Sequence, residues 1–518
     1  MKWKLNILEK RGDPDWAKSS LCYALILLML GLQSLIQWPI TWDFKHYAFY
    51  DAGAALKADK LVDTLRPGVD FAYPYGLVAL DIGRGWFAAF GRTPLGYTSL
   101  TLVCSAIVAL GMMNAALAMR MRLGSLALVI LLLPYAIYPQ YLNETHALES
   151  AVLIWAIAMQ ARGRIGTALA LATLCLFIKP SMAYVYGFLL MVLIVLEIVR
   201  AKSGQRWAIF LRRFAPAGAV LLLAGAYCAA RYGLPSLEAT FFPATASRAY
   251  NAAHFGFFFG VGREFWWPTS PRYGYFNYYV FYEAGFWLLA AIASFIYLVV
   301  TATGAALNRH LPGRATLTLL SILLLHSVFV FFMYGWERSW IYYGYLLMLG
   351  TAGVLDQVPW RSARIRAAML AAVVLVAAMG MNSRLVWALG TWRDTTAGPE
   401  TAGLHAYPND AADWAGVHQL LRDHHGLFLA NGFTDGLFGD VRTPQVFFMS
   451  PSLLTFAELH GIHDQIADST LVVRYKELED QGLDPWDEPA YRDVTVLFHE
   501  TLRTEHYIVM QRAEPTGR

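Results

Sequence analysis

Residues 41–76 read TWDFKHYAFYDAGAALKADKLVDTLRPGVDFAYPYG, and they follow directly on the first long apolar run of the chain. Their first carboxylate, Asp43, falls where an aqueous loop leaves a membrane. As a helix over 42–57, the period of about 3.6 residues places Asp43, His46, Tyr47, Tyr50, Ala54 and Lys57 on one face. One acid, one imidazole, two phenols and an ammonium suit a hydroxyl-rich or phosphorylated ligand. The same pattern also fits a solvated amphipathic helix lying on the membrane surface.

Working outward, the composition excludes an ordinary soluble protein. Of 518 residues, 57% are apolar and 15% charged, against roughly 25% charged in soluble domains. Apolar runs of about 16–22 residues recur along most of the chain, which predicts a polytopic helical membrane protein. The net charge of +4 is spread over short loops; it argues for orientation in a bilayer and not for nucleic-acid binding. Cys22, Cys104, Cys175 and Cys228 all fall in apolar segments, without disulfide or metal spacing. The basic N-terminus and a first run long enough to span, with no small-residue cleavage site, predict a retained signal anchor.

In order, the spans are expected at about 21–40, 95–118, 123–139, 147–161, 165–178, 181–198, 214–233, 280–302, 315–333, 341–356 and 367–386. GLVALDIGRGWFAAF, 76–90, is interrupted by Asp81, Arg84 and two glycines and reads as an interfacial helix, because a charge at a span centre costs about 2.5–3.5 kcal/mol. Every inner segment is then short and basic, while the outer loops hold the long insertions. The positive-inside rule puts the N-terminus in the cytoplasm. From about 388 the chain turns polar and mixed. Residues 409–424 and 452–467 read as helices, and GLFLANG, VTVLFHE and EHYIVMQR as strands, predicting a small α/β domain over 388–518 beyond a transmembrane domain over 1–387. No internal repeat is visible.

The polar and aromatic excess lies on one side. Predicted outer segments carry Asp43, His46, Tyr47, Tyr50, Asp51, Glu144, His146, Glu149, His254, Arg263, Glu264, Trp266, Trp267, Glu337 and Arg338. Short insertions of this kind can meet over a cavity at the membrane boundary, taking a lipid-borne substrate from the bilayer and a polar one from water. No His/Cys cluster has zinc spacing; Asp43 and Asp51 could share a hard cation, for which two acids alone are weak evidence.

Asp43 after the first span, Asp43-Phe44-x-x-Tyr47, Ala52-Gly53-Ala54 and Phe71-Ala72-Tyr73-Pro74 together resemble the first loop of C-type membrane glycosyltransferases. Within them the resemblance is to the bacterial branch that depends on polyprenyl-phosphate mannose. Phe177-Ile178-Lys179-Pro180 and the tail ending Tyr507-Ile508-Val509-Met510-Gln511-Arg512 are similar to features of the same enzymes. The resemblance implies a many-span fold with interfacial helices in the first loop. It also implies a polyprenyl-phosphate sugar donor, and inverting transfer with no metal or other cofactor. The family's loop acid falls on Asp43.

That chemistry accounts for the residue types. A sugar hydroxyl is a poor nucleophile, so a positioned carboxylate must take its proton; Asp43 fits. The departing lipid phosphate gains charge and calls for cations; Lys179, Arg263 and Arg338, all at predicted outer edges, are the candidates. Snorkelling, or pairing with Glu264 or Glu337, is the alternative for each. His46, Tyr47, Tyr50, Glu144, His254 and Glu264 are candidates to hold sugar or acceptor. His326 reads as a core histidine, and the aromatics around Trp266 as an interfacial belt. The expectation is an enzyme of the bacterial inner membrane moving one sugar to an extracytoplasmic lipid or glycan acceptor. A flippase of lipid-linked sugars, a ligase or polymerase using lipid diphosphate-linked glycans, and a non-catalytic scaffold are the alternatives.

Overall fold

The computed structural model describes residues 20–28, 30, 66–67, 76–90, 94–137, 144–241, 296–305, 307, 312–328, 344–358, 362–372, 417, 420, 428–430, 445–447, 470–474, 497–504 and 507–512. Its helices are α1 (20–28), α2 (Leu77–Phe90), α3 (Pro94–Ala118), α4 (Leu123–Ile137), α5 (Glu144–Ala161), α6 (Ile165–Cys175), α7 (Pro180–Arg200) and α8 (Ser203–Tyr232). They continue with α9 (Leu234–Phe241), α10 (Ile296–Ala305), α11 (Arg314–Val328), α12 (Gly344–Gln357) and α13 (363–372).

Burial follows the logic of a lipid solvent. On α1, Cys22 and Ile26 face the bundle while Leu21, Leu25, Leu27 and Leu28 are exposed. In water such an outer face costs free energy; in a bilayer it is the solvated face. Ser99–Ala118, Met182–Arg200 and Ser203–Tyr232 are long and apolar enough to cross a membrane, and shorter apolar helices run over His146–Ala161, Ile165–Cys175, Ile296–Ala305 and Arg314–His326.

The bundle is centred on α5, which packs against α3, α6 and α11. At the α6–α8 crossing a Cβ on Gly166 would lie 2.9 Å from the Arg212 carbonyl oxygen, so only glycine allows the approach. A polar chain runs inside the bundle: Tyr186 donates to Gln160 Oε1 at 2.7 Å, and Gln160 Nε2 donates to Ser321 Oγ at 3.0 Å. This ties α5, α7 and α11 together where apolar packing alone leaves register loose.

One end of the bundle gathers basic turns. Arg213 donates to both carboxylate oxygens of Glu197, at 2.8 and 2.9 Å, and to the Gly163 carbonyl at 3.3 Å. Asp356 accepts from the Arg122 amide at 2.9 Å, from Ser125 Oγ at 3.0 Å and from Arg366 at 3.2 Å, capping the start of α4 from α12.

Two helices depart from the sequence expectation. The basic stretch through Arg206, Arg212 and Arg213, expected as an inner loop, is the first third of α8. At 30 residues, α8 measures about 45 Å, longer than a hydrocarbon core of about 30 Å. Its basic third therefore continues the helix beyond the apolar depth, with Trp207 and Phe210 stacked 5.2 Å apart. Residues 235–241, expected to open an outer loop, instead form α9. The helix expected at 76–90 is present as α2, and α6 is a short helix as expected.

The later residues form one sheet in the order β2-β1-β3-β5-β4, from Phe428–Ala430 (β1), Gln445–Phe447 (β2), Thr470–Arg474 (β3), Phe498–Arg503 (β4) and Tyr507–Arg512 (β5). β1 runs parallel to β2 and β3, while β5 is antiparallel to β3 and β4. Tyr507, Ile508, Val509 and Met510 are buried in succession, so both faces of β5 are covered. The strand expected in VTVLFHE starts later, at Phe498, and β2 and β3 were not expected. Of the expected helix at 409–424, residues 417 and 420 are helical; the one at 452–467 lies outside the described residues.

Candidate functional site at the Lys-Pro turn

Leu176–Ile178 form a turn that carries the chain out of α6: the Ile178 amide donates to the Cys175 carbonyl at 3.0 Å and the Lys179 amide to the same oxygen at 2.8 Å. Pro180 then opens α7 at its first position, where a missing N–H costs nothing. A residue before proline is driven to extended backbone, and Lys179 has φ −152° and ψ 110°. Lys179 thus sits at the cap of α7 without capping it, and its side chain is sent across to α5.

There it is 4% exposed, so it does not snorkel. Lys179 Nζ lies against the His146 ring, 2.7 Å from Nδ1 and in hydrogen-bond contact with Nε2. One turn along α5, the fully buried Glu149 accepts the Met182 amide on Oε1 at 3.0 Å, taking one of the orphan amides at the start of α7. The Glu149 carbonyl accepts Cys175 Sγ at 3.9 Å. Tyr345 of α12, fully buried, has its phenol within electrostatic reach of Glu149 and Cys175.

Two further segments converge on this turn. The Gly76 amide donates to the Ile178 carbonyl at 2.8 Å and the Val78 amide to the Phe177 carbonyl at 2.9 Å, so the first amides of α2 are capped by the turn itself. A Cβ on Gly76 would fall 2.0 Å from the Phe177 carbonyl carbon. Phe241, the last residue of α9, meets the Phe177 ring edge-on at 5.3 Å, and its carbonyl accepts Tyr184 Oη at 3.1 Å. The chain enters α2 from the stretch 41–75 and leaves α9 into the stretch 242–278. Both predicted outer insertions therefore meet the structure beside Lys179.

α2 is held at a second point. Asp81 accepts Tyr227 Oη at 2.9 Å, Arg231 Nε at 2.9 Å and Tyr232 Oη at 2.6 Å, all from the end of α8. Trp86 Nε1 donates to Ser99 Oγ of α3 at 2.9 Å. Asp81 and Arg84, the charges that argued against a span, are thus carried by a helix with a polar dock.

Of the sequence candidates, the structure places Lys179 in this cluster and makes Glu144 the first residue of α5. Asp43, His46, Tyr47, Tyr50, His254, Arg263, Glu264 and Arg338 lie outside the described residues. From the sequence, His146 reads, with Glu144 in NETH, as equally a supporting polar residue or a bystander, and Glu149 is named only among the outer polar residues; the i, i+3 spacing of His146 and Glu149 was the available signal. Among the described residues, no three His, Cys, Asp or Glu side chains group to hold a metal ion.

The fold is similar to that of known structures. ArnT from Cupriavidus metallidurans, bound to undecaprenyl phosphate, superposes with a TM-score of 0.51 at 13% identity, over 94% of this chain and 97% of that one. Its apo structure gives 0.52 at 12% identity, over 93% and 97%. This chain shares the fold of these ArnT structures. No protein-family model matches it, and no curated protein does.

Proposed function

We propose that this protein is a membrane glycosyltransferase that moves one sugar from a polyprenyl phosphate to an extracytoplasmic lipid or glycan acceptor. The observation that carries the reading is the junction at Lys179. A buried lysine, with His146 and Glu149 beside it, sits where the acid-bearing first loop rejoins the bundle at Gly76. The fold shared with a polyprenyl-phosphate-bound glycosyltransferase over 94% of the chain supports it.

In the reaction, Asp43 takes the proton of the acceptor hydroxyl as its oxygen bonds to the anomeric carbon. The bond from that carbon to the phosphate oxygen breaks on the opposite face, giving inversion. The electron pair leaves with the lipid phosphate, whose added charge is met by Lys179 with Arg263 and Arg338. His46, Tyr47, Tyr50, Glu144, His254 and Glu264 hold sugar and acceptor hydroxyls. Residues 1–387 form the catalytic membrane domain and 388–518 an extracytoplasmic domain, in a bacterial inner membrane. Mannose is the first donor sugar to try, because the first-loop motif resembles that branch.

The test is sugar transfer by protein in nanodiscs, with a short-chain polyprenyl-phosphate sugar and extracted acceptors, comparing wild type with Asp43→Asn. Asn keeps the size and removes the base, so transfer is expected to fall at least a hundredfold while donor binding persists. Equal transfer by both proteins removes Asp43 as the base; donor binding without transfer by either turns the reading toward a transporter.

A further inference from the structure

His146 and Glu149 lie one turn apart on the buried face of α5, and both reach the Lys-Pro turn, one through the lysine side chain and one through the backbone that follows it. Lysine is a poor choice for a fixed contact on its own, since its flexible stem lets the ammonium wander. Here the stem is packed in the bundle end, and the ammonium is met by an imidazole. An imidazole nitrogen accepts a hydrogen bond only where it carries no proton, so the pair fits a charged Lys179 and a neutral His146. Glu149 in turn holds the Met182 amide, so the first turn of α7, and with it the Lys179 backbone, is fixed against α5.

We propose that His146 and Glu149 are positioning residues for Lys179, holding its ammonium at a set place for the donor phosphate. This rests on the reading of Lys179 as a phosphate ligand. The contact with His146 fixes the place of the ammonium and the direction of its N–H bonds. During transfer the donor phosphate passes from a monoanionic diester to a monoester carrying further charge. A cation already in place meets that charge without reorganising, so its effect falls on turnover more than on ground-state binding. His146 acts through Lys179 and touches neither sugar nor acceptor. The buried carboxylate keeps the turn in register, a role an amide can share because it retains an acceptor oxygen.

The test uses the full-length protein in nanodiscs, with kcat and KM for a short-chain polyprenyl-phosphate sugar and, separately, binding of the polyprenyl phosphate by native mass spectrometry. His146→Phe keeps a ring and removes the acceptor nitrogen, and is expected to lower kcat at least tenfold with KM changed less than threefold. His146→Asn and His146→Gln return an acceptor near Nδ1 and Nε2 respectively, and one of the two restores most of the loss. In a Lys179→Met background, His146→Phe is expected to change kcat less than twofold, because the group it acts through is gone. Glu149→Gln retains turnover, and Glu149→Leu lowers it.

Additive losses in the double variant overturn the proposal, as does full activity in His146→Phe. If His146→Phe does not fold, the Asn and Gln variants decide: coupling of either to Lys179→Met supports the proposal, and none in both overturns it. A wild-type protein that transfers no sugar refutes the proposed function, not this inference. The same non-additivity is then required of polyprenyl-phosphate binding, and its absence there overturns the inference.

Discussion

Gly76 is the residue on which the first loop meets the bundle. Its amide and those of Val78 and Ala79 are satisfied by the carbonyls of Phe177 and Ile178, and a Cβ would meet that backbone at 2.0–2.4 Å. Backbone atoms cannot rotate away as a side-chain tip can, so Gly76→Ala must displace the start of α2 or the Lys-Pro turn. We expect it to destabilise the protein by about 1–3 kcal/mol, read as a lower unfolding midpoint in detergent. An unchanged midpoint means the two segments are not in this contact. The residue scale also shows what a sequence carries and what it conceals. Lys179 was legible because a lysine ending an apolar run is costly unless it has partners. The pairing of His146 and Glu149 with the Lys-Pro turn was not, because those partners lie 33 residues away and no local pattern encodes it.

Asp81 fastens α2 as an element. Three donors from the end of α8 converge on one carboxylate, and the ion pair to Arg231 is partly exposed, with Asp81 at 17% and Arg231 at 45%. Solvent screening keeps the charge contribution small, so Asp81→Asn, which retains an acceptor, is expected to cost less than about 1 kcal/mol. Asp81→Leu leaves the Tyr232 hydroxyl and Arg231 without that acceptor and is expected to cost about 1–3 kcal/mol. Trypsin reports it locally: Arg84 lies one turn further along α2, and its cleavage should quicken in the Leu variant and hardly change in the Asn variant. Equal cleavage rates in all three proteins contradict the clasp. Helices α3 to α7 stood out in the sequence because their apolar runs are bounded at one end or both by basic pairs or by Lys-Pro. The start of α8 did not, because a helix keeps its hydrogen bonds after its side chains turn basic. Its Arg213 is held by Glu197 of α7, not by solvent alone. β2 and β3 were missed for another reason: short segments with no alternation declare themselves only when paired in a sheet.

The whole molecule has two unlike ends. Arg120, Arg122, Arg162, Arg164, Arg200, Lys202, Arg213, Arg314 and Arg366 gather in the turns and adjoining helix segments at one end, and the Lys-Pro turn with the entries to both long insertions lies at the other. The positive-inside rule predicts that the basic end faces the cytoplasm. We propose on that ground that the Lys179 end and the sheet of residues 428–512 face outward. Cysteine labelling can decide it cleanly, because Cys22, Cys104, Cys175 and Cys228 are all buried and contribute little background. Lys202→Cys introduces an exposed thiol at the basic end, and Gln511→Cys one on β5. In intact spheroplasts an impermeant maleimide is expected to label Gln511→Cys and to leave Lys202→Cys untouched until the membrane is opened. The reverse pattern inverts the orientation and places the site on the cytoplasmic side, where an extracytoplasmic acceptor is out of reach. Labelling of both thiols in sealed cells separates the sheet from the site, since the two then cannot be assigned by one membrane crossing pattern. The experiment therefore tests the acceptor's compartment independently of any assay for transfer.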